Sequence, residues 1–241
     1  MRPPDGLAPP RLQGWPALQA TCVDRIKRTA LRQLHASTAG EKLLLRIYLI
    51  GEEATEIALH DELVPTPPEW LARQMAQHLA DEQRHAALLA DALRQRGWTP
   101  SPSRPDRLSR KKIERWHALA RAYAPRFAQG VLVPAYAIGL CAEQMAQRVL
   151  QRHCETIGPR DALYPLLSGI LVDEGRHVRL CQRTLQRSVS TDEWPALEAL
   201  LQEIRAVDRS FGITGALAML AAGLALRLVP GRGPMRRPHA T

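Results

Sequence analysis

The pentad Asp81-Glu82-Gln83-Arg84-His85 recurs as Asp173-Glu174-Gly175-Arg176-His177, 92 residues further along (81 to 173). Both copies read D-E-x-R-H, and both lie in long stretches with the apolar spacing of a helix. On a helix, Glu and His three positions apart share one face, so a carboxylate and an imidazole can reach the same ion. A single Glu-x-x-His in a charged helix is ordinarily a solvated face. Two matching pentads in matching contexts are much harder to obtain by chance. The flanks extend the match. The stripe Leu71, Met75, His78, Glu82, His85, Leu89 becomes, 92 residues on, Leu163, Leu167, Ile170, Glu174, His177, Cys181. The polar residues occupy the middle of mostly apolar stripes, where a carboxylate is costly unless it is paired or bound to metal.

A metal site needs further ligands, and the stretch before each pentad offers them. Glu143 lies on the stripe Leu132, Tyr136, Gly139, Glu143, Ala146, Leu150, and Glu52 on Leu45, Leu49, Glu52, Glu56, Leu59, Leu63. Glu52 precedes Glu82 by 30 residues, and Glu143 precedes Glu174 by 31. The chain therefore reads as a Glu helix followed by a Glu-x-x-His helix, twice.

That inventory resembles the ligand set of the ferritin-like di-iron carboxylate bundles. The D-E-x-R-H form is similar to the motif of their oxygen-activating branch, such as the hydroxylase components of bacterial multicomponent mono-oxygenases. The resemblance covers roughly residues 39–187. It implies an all-α chain: a ferritin-like four-helix bundle with extra N- and C-terminal helices, holding two Fe ions, with Mn also compatible. It further implies that Glu82 and Glu174 bridge the metals, that Glu52 and His85 complete one, and that Glu143 and His177 complete the other. Behind these ligands, Asp173 is expected to receive the ring N–H of His85 and Asp81 that of His177, with Arg84 and Arg176 holding both carboxylates.

Three positions stay open. Glu53 replaces Glu52 if the helix is rotated. Glu56, on the same stripe, is an additional or alternative ligand, and its counterpart in the other half is Gln147. His78 is an additional ligand or a core histidine. A similar extra histidine occurs in arylamine N-oxygenases of this superfamily, on the fourth bundle helix, where this chain has Ile170. One departure bears on function. The ribonucleotide reductase small subunit keeps a radical tyrosine four residues after its first motif histidine, and here that position is Leu89. A radical-storing subunit is therefore disfavoured.

Along the chain, the Pro/Gly-rich residues 1–16 read as a flexible arm, with no apolar core of signal-peptide length. A first helix is expected over 17–36. Thr38-Ala39-Gly40-Glu41 reads as a capping box, opening a helix over 39–64 that Pro65, Pro67 and Pro68 end. The next helix runs over 69–96, and the Pro/Ser stretch 97–107 is the long crossover. A helix over 108–123 follows. The third bundle helix starts or bends at Pro134 and closes at Gly158-Pro159, and the fourth covers 161–187. Ser190 to Glu193 opens a helix to about 208. The domain reading is a bundle domain over 17–208, with its core at 39–187, followed by an apolar helix and basic tail over 209–241. Ser210 to Leu226 is 17 residues without a formal charge, the lower end of a membrane span. This segment packs on the bundle, or else it contacts a membrane or forms a homodimer interface.

Four cysteines without C-x-x-C spacing form neither a zinc site nor a disulfide framework. They point to reduced thiols in the cytoplasm, with peripheral or tail-anchored attachment to a membrane as the variant. A rubredoxin-like cysteine module is absent. The net charge of +9 is densest over Arg104 to Arg115, which lacks interleaved aromatics apart from Trp116, so nucleic acid is not the expected partner. The expected function is an oxidase or mono-oxygenase that uses dioxygen on a small organic substrate, with an electron-donor protein. The alternatives are an iron-handling or peroxide-scavenging protein of ferritin or rubrerythrin type, and a tRNA-modifying di-iron hydroxylase.

Overall fold

The computed structural model describes residues 7–9, 12–57, 67–98 and 107–228, without the side chains of Glu56, Ile57 and Leu108. The expected helix end at 58–64, Pro65, most of the Pro/Ser crossover and the chain beyond Leu228 lie outside the described residues. Within them the protein is all-α: α1 Gly14–His35, α2 Thr38–Ile57, α3 Glu69–Gln95, α4 Arg107–Tyr123, α5 Leu132–Ile157, α6 Tyr164–Ser188 and α7 Trp194–Leu228. A short 3-10 turn, Ala124–Arg126, joins α4 to the loop before α5.

The stripes seen in the sequence become the buried faces. In α3 the buried residues are Leu71, His78, Asp81, Glu82, His85, Leu89, Ala92 and Leu93. In α6 they are Leu167, Ile170, Glu174, His177, Cys181, Thr184 and Leu185. Helix α2 packs on α3, α5 on α6, and α3 meets α6, so the two pairs join along the pentad helices. Two apolar clusters show how the helices run. Leu71, Val133, Leu140, Cys181 and Leu185 share one cluster, and Leu45, Leu49, Leu89, Leu150, Leu167 and Ile170 share the other. Along α3 and α5 the chain passes from the first cluster to the second, and along α6 it passes back. The polar residues of all four helices therefore fall in the layer between two dry cores.

Several boundaries differ from the expectation. Helix α2 is capped by Ser37, whose Oγ accepts the Gly40 N–H at 3.1 Å. Glu41 does not close a capping box. Its carboxylate instead accepts from Arg96 at 2.8 Å, a tertiary partner that the local pattern could not reveal. Helix α6 starts three residues late, after a turn in which Asp161 Oδ1 accepts the Leu163 N–H at 2.9 Å. Helix α5 begins at Leu132, which places Pro134 in the first turn, where its missing N–H costs nothing. Helix α7 does not end near 208. It runs unbroken to Leu228, because α1 packs along it and outweighs the weak helix propensity of its glycines. The N-terminal arm is anchored where it is described. Leu7 is buried, and its carbonyl accepts from Gln144 at 3.0 Å.

Close approach fixes the α1–α2 corner. A Cβ on Gly40 would fall 2.0 Å from the Leu34 carbonyl oxygen, so only glycine lets the two helices meet there.

Candidate metal centre

Four glutamates converge in the layer between the cores: Glu52 from α2, Glu82 from α3, Glu143 from α5 and Glu174 from α6, all buried. Burying one ionised carboxylate costs several kcal/mol even after relaxation. A buried leucine returns roughly 1.5–3 kcal/mol. Four such groups at one level are therefore a net burden on stability unless something holds them.

They form two groups with the histidines. His78, Glu82, Glu143 and His177 make one, and Glu52, Glu82, His85 and Glu174 make the other; in each, the ligand atoms lie within 4.8 Å of one another. Glu82 belongs to both. In the first group, Glu82 Oε1 is 3.0 Å from His177 Nδ1 and 3.2 Å from His78 Nε2. Glu143 Oε1 is 3.3 Å from His78 Nε2. In the second, His85 Nδ1 is 3.5 Å from Glu52 Oε2 and 3.9 Å from Glu174 Oε1. The His78 and His177 rings face each other with centroids 3.9 Å apart.

The pentads also build the support behind the ligands. His85 Nε2 lies 3.1 Å from Asp173 Oδ2, and His177 Nε2 lies 3.4 Å from Asp81 Oδ2. Each histidine is thus tied to the aspartate of the other pentad. Arg84 donates to Asp81 at 2.6 Å and to Asp173 at 2.5 Å. Arg176 reaches Asp173 at 2.7 Å and Asp81 at 3.3 Å. A carboxylate only accepts, so Nε2 of each ring carries the proton. Nδ1 of each ring faces inward towards the glutamates, and it becomes a metal donor once its own proton leaves.

Neighbours decide which groups are ionised. Burial opposes the charge on Asp81, but Arg84, Arg176 and His177 outweigh it and bring its carboxyl down to about 2. Burial likewise opposes charge on Glu82 and Glu143, and His177 and His78 beside them win, holding both below the usual carboxylate range. At Glu52 burial prevails and the carboxyl is pushed up to about 8. Glu174 is raised well above its ordinary value by burial and by the charge of Glu143. Burial alone would lower the three imidazoles. The carboxylates override it, raising His78 through Glu143 and Glu82 and His85 through Glu52 and Asp173. Glu143 and Glu82 raise His177 to about 10.

Whether a metal fits can be read from the unpartnered atoms. Both ring nitrogens of His78, Glu82 Oε1, His85 Nδ1, Glu174 Oε2 and His177 Nδ1 are buried without an aligned hydrogen-bond partner. Buried polar atoms are normally paired. Here several converge on two points, and imidazole with carboxylate is a donor set that first-row metals accept. Two buried His/Glu clusters able to hold metal ions are therefore present.

Of the open positions, His78 joins the first cluster and Glu53 joins neither. The side chain of Glu56 lies outside the described residues. The sequence reading missed a cavity of about 660 Å³ between α2 and α5, roofed by α4. Glu52, His78, Glu82, Glu143 and Glu174 border it, and its walls are mainly apolar, with Ile47, Ile50, Ala142, Met145 and Val149 among them. The available signal was the run of small and apolar residues on either side of Glu52 and Glu143. Also missed was the buried pair Tyr48–His153, with the phenol oxygen 2.9 Å from His153 Nδ1. Comparison with family models, with curated proteins and with solved structures finds no match.

Proposed function

We propose that this chain is a dinuclear iron oxidase or mono-oxygenase that uses dioxygen to oxidise a small, largely apolar organic molecule held between α2 and α5. One observation carries the reading: two buried clusters share Glu82, present unpartnered donor atoms and border an apolar cavity. One metal would be held by Glu52, Glu82, His85 and Glu174, and the other by His78, Glu82, Glu143 and His177. Manganese suits the same donors. When bound, a reduced metal pair supplies the electrons that dioxygen requires.

The remaining roles belong to the chain's own residues. Asp173 and Asp81 hold His85 and His177 in the tautomer that presents Nδ1 inward. Arg84 and Arg176 keep those aspartates ionised and in place. Without metal, Glu52 holds a proton at neutral pH at the edge of the cavity, and it would release that proton to act as a ligand. The mainly apolar walls accommodate the body of a substrate, and a cavity of this size lies in the range that small molecules occupy. An iron-storage role has no use for such a walled space beside the clusters. Reducing equivalents would come from an electron-donor protein. The unpaired thiols of Cys22, Cys141, Cys154 and Cys181 suit the cytoplasm.

Anaerobic titration with ferrous iron tests the reading. Two equivalents should bind per chain, and admitting oxygen should then cause oxygen uptake that Glu174→Ala abolishes. Tight binding with no oxygen uptake would leave a metal site but remove the oxidase.

A further inference from the structure

Helix α7 extends beyond the core in which it begins. Its first half is held there by Leu197, Leu200, Leu201 and Ile204. Its second half rests on α1 and the start of α2, where Met219, Ala222 and Leu226 pack on Leu31, Leu34 and Leu44. A Cβ on Gly223 would fall 2.8 Å from Gln33 Oε1, so this inner face lies hard against α1. The outer face is open and apolar. Leu217, Leu224 and Leu228 are 52%, 47% and 81% exposed, and Ala218, Ala221 and Ala225 between them are exposed as well.

A helix face turned to water ordinarily carries charge. This one carries no formal charge from Ser210 to Leu226. Contiguous apolar surface rimmed by charge marks a membrane or partner site. The charge that follows has a single sign. After Asp208 the sequence holds no acidic residue, and its charged side chains are Arg209, Arg227, Arg232, Arg236 and Arg237.

We propose that the outer face of α7, from 214 to 228, docks on an anionic membrane surface and lies in the headgroup plane. Two arguments select this occupant. Beyond Asp208 a second copy offers only further arginines and no acidic residue, whereas acidic lipid headgroups complement them. A spanning helix would have to strip Met219, Ala222 and Leu226 from the cluster on α1 and α2, while an interfacial helix keeps that packing and buries only the face already open. The inference rests on α7 alone and is independent of the metal reading.

Sedimentation of the full-length protein with vesicles tests it. Phosphatidylcholine vesicles containing phosphatidylserine should carry the protein down about tenfold or more better than phosphatidylcholine alone, and added salt should release it. Leu217→Glu with Leu224→Glu should reduce that binding about tenfold or more, with the helical circular dichroism unchanged because both side chains face outward. Neutralising Arg227, Arg232, Arg236 and Arg237 to Gln should erase the preference for anionic lipid. Failure of the folded protein to bind the anionic vesicles would overturn the proposal, as would undiminished binding by the double-glutamate variant. Resistance to alkaline carbonate extraction would instead identify a spanning helix. A lipid-free dimer that the double variant dissociates, without vesicle binding, would assign the face to a second copy.

Discussion

Protons and metal compete for the same atoms in this centre, so metal affinity should depend steeply on pH. In the metal-free protein His177 is raised to about 10 and Glu52 to about 8, so both are protonated at pH 7. A metal must displace those protons to use either group. At about 1.36 kcal/mol per unit, stripping His177 at pH 7 costs roughly 4 kcal/mol and stripping Glu52 roughly 1 kcal/mol. Below about pH 7.5 one proton from these groups should leave each site, Glu52's from one and His177's from the other, so each metal's affinity should rise roughly tenfold per pH unit. Above about pH 8 the Glu52 share is spent and fades at the metal beside His85, while the roughly tenfold slope should persist at the metal beside His177. The sign for stability follows from the same shifts. Both groups bind more protons when folded, so the metal-free protein should lose stability as pH rises from about 4.5 towards 10, and loaded metal should reverse that trend. Manganous ion competed against a chelator from pH 6 to 8.5 measures the slope without oxidation. Calorimetry in two buffers of different ionisation enthalpy counts the protons. A flat affinity across this range, or no protons released, would refute the reasoning.

Three further outcomes are expected. Glu82→Ala should strip both metals, because Glu82 belongs to both clusters, whereas His78→Leu should leave the metal beside His85 in place; elemental analysis of folded protein distinguishes these cases. Asp173→Asn should keep metal stoichiometry but lower affinity or activity by roughly 10–100-fold, since it frees His85 without removing a ligand. Gly40→Ala should destabilise by about 1–3 kcal/mol in urea unfolding, because its Cβ meets the Leu34 carbonyl. Gly51→Ala, which meets nothing within 4 Å, should be neutral or stabilise by up to about 1 kcal/mol.

Much of this site could be read along the chain because helix geometry converts spacing into a shared face. Glu82 and His85 needed only a three-residue step to point the same way. The crossed Asp173–His85 and Asp81–His177 contacts followed once two like pentads were set against each other. Features that depend on how far apart helices sit could not be read this way. The gap between α2 and α5 that makes the cavity is a tertiary distance, and no periodicity encodes it. Ser37 displaced Thr38 as the cap because Glu41 had a better partner in Arg96, 55 residues away (41 to 96). Helix α7 outran its expected end because α1 supplies a packing surface that local glycine content cannot anticipate. His78 and Ile170 occupy matching positions on matching stripes, yet one lies among the carboxylates and the other in a leucine core.

That last difference makes the two halves unequal in a way the pentads alone conceal. The cluster around His177 offers two imidazoles and two carboxylates, while the cluster around His85 offers one imidazole and three carboxylates, with Glu82 common to both. A ligating imidazole is neutral and a carboxylate is not, so the second cluster presents the more anionic, harder donor set. His78 also replaces an apolar side chain on the wall that Glu143 and Glu82 share, and its ring faces His177 at 3.9 Å. On the proposed reading, two metals held this way would differ in charge balance and in ease of reduction even if they were the same element. A bound pair of this kind would supply redox chemistry towards dioxygen, with the two positions held unequally by the chain's own donors. The cavity is itself one-sided: it borders His78, Glu143 and Glu52, but not His85 or His177. On the proposed reading, substrate would therefore meet the centre across the faces of α2 and α5, while His85 and His177 lie on the side away from it, backed by their aspartates and the half-exposed Arg84 and Arg176.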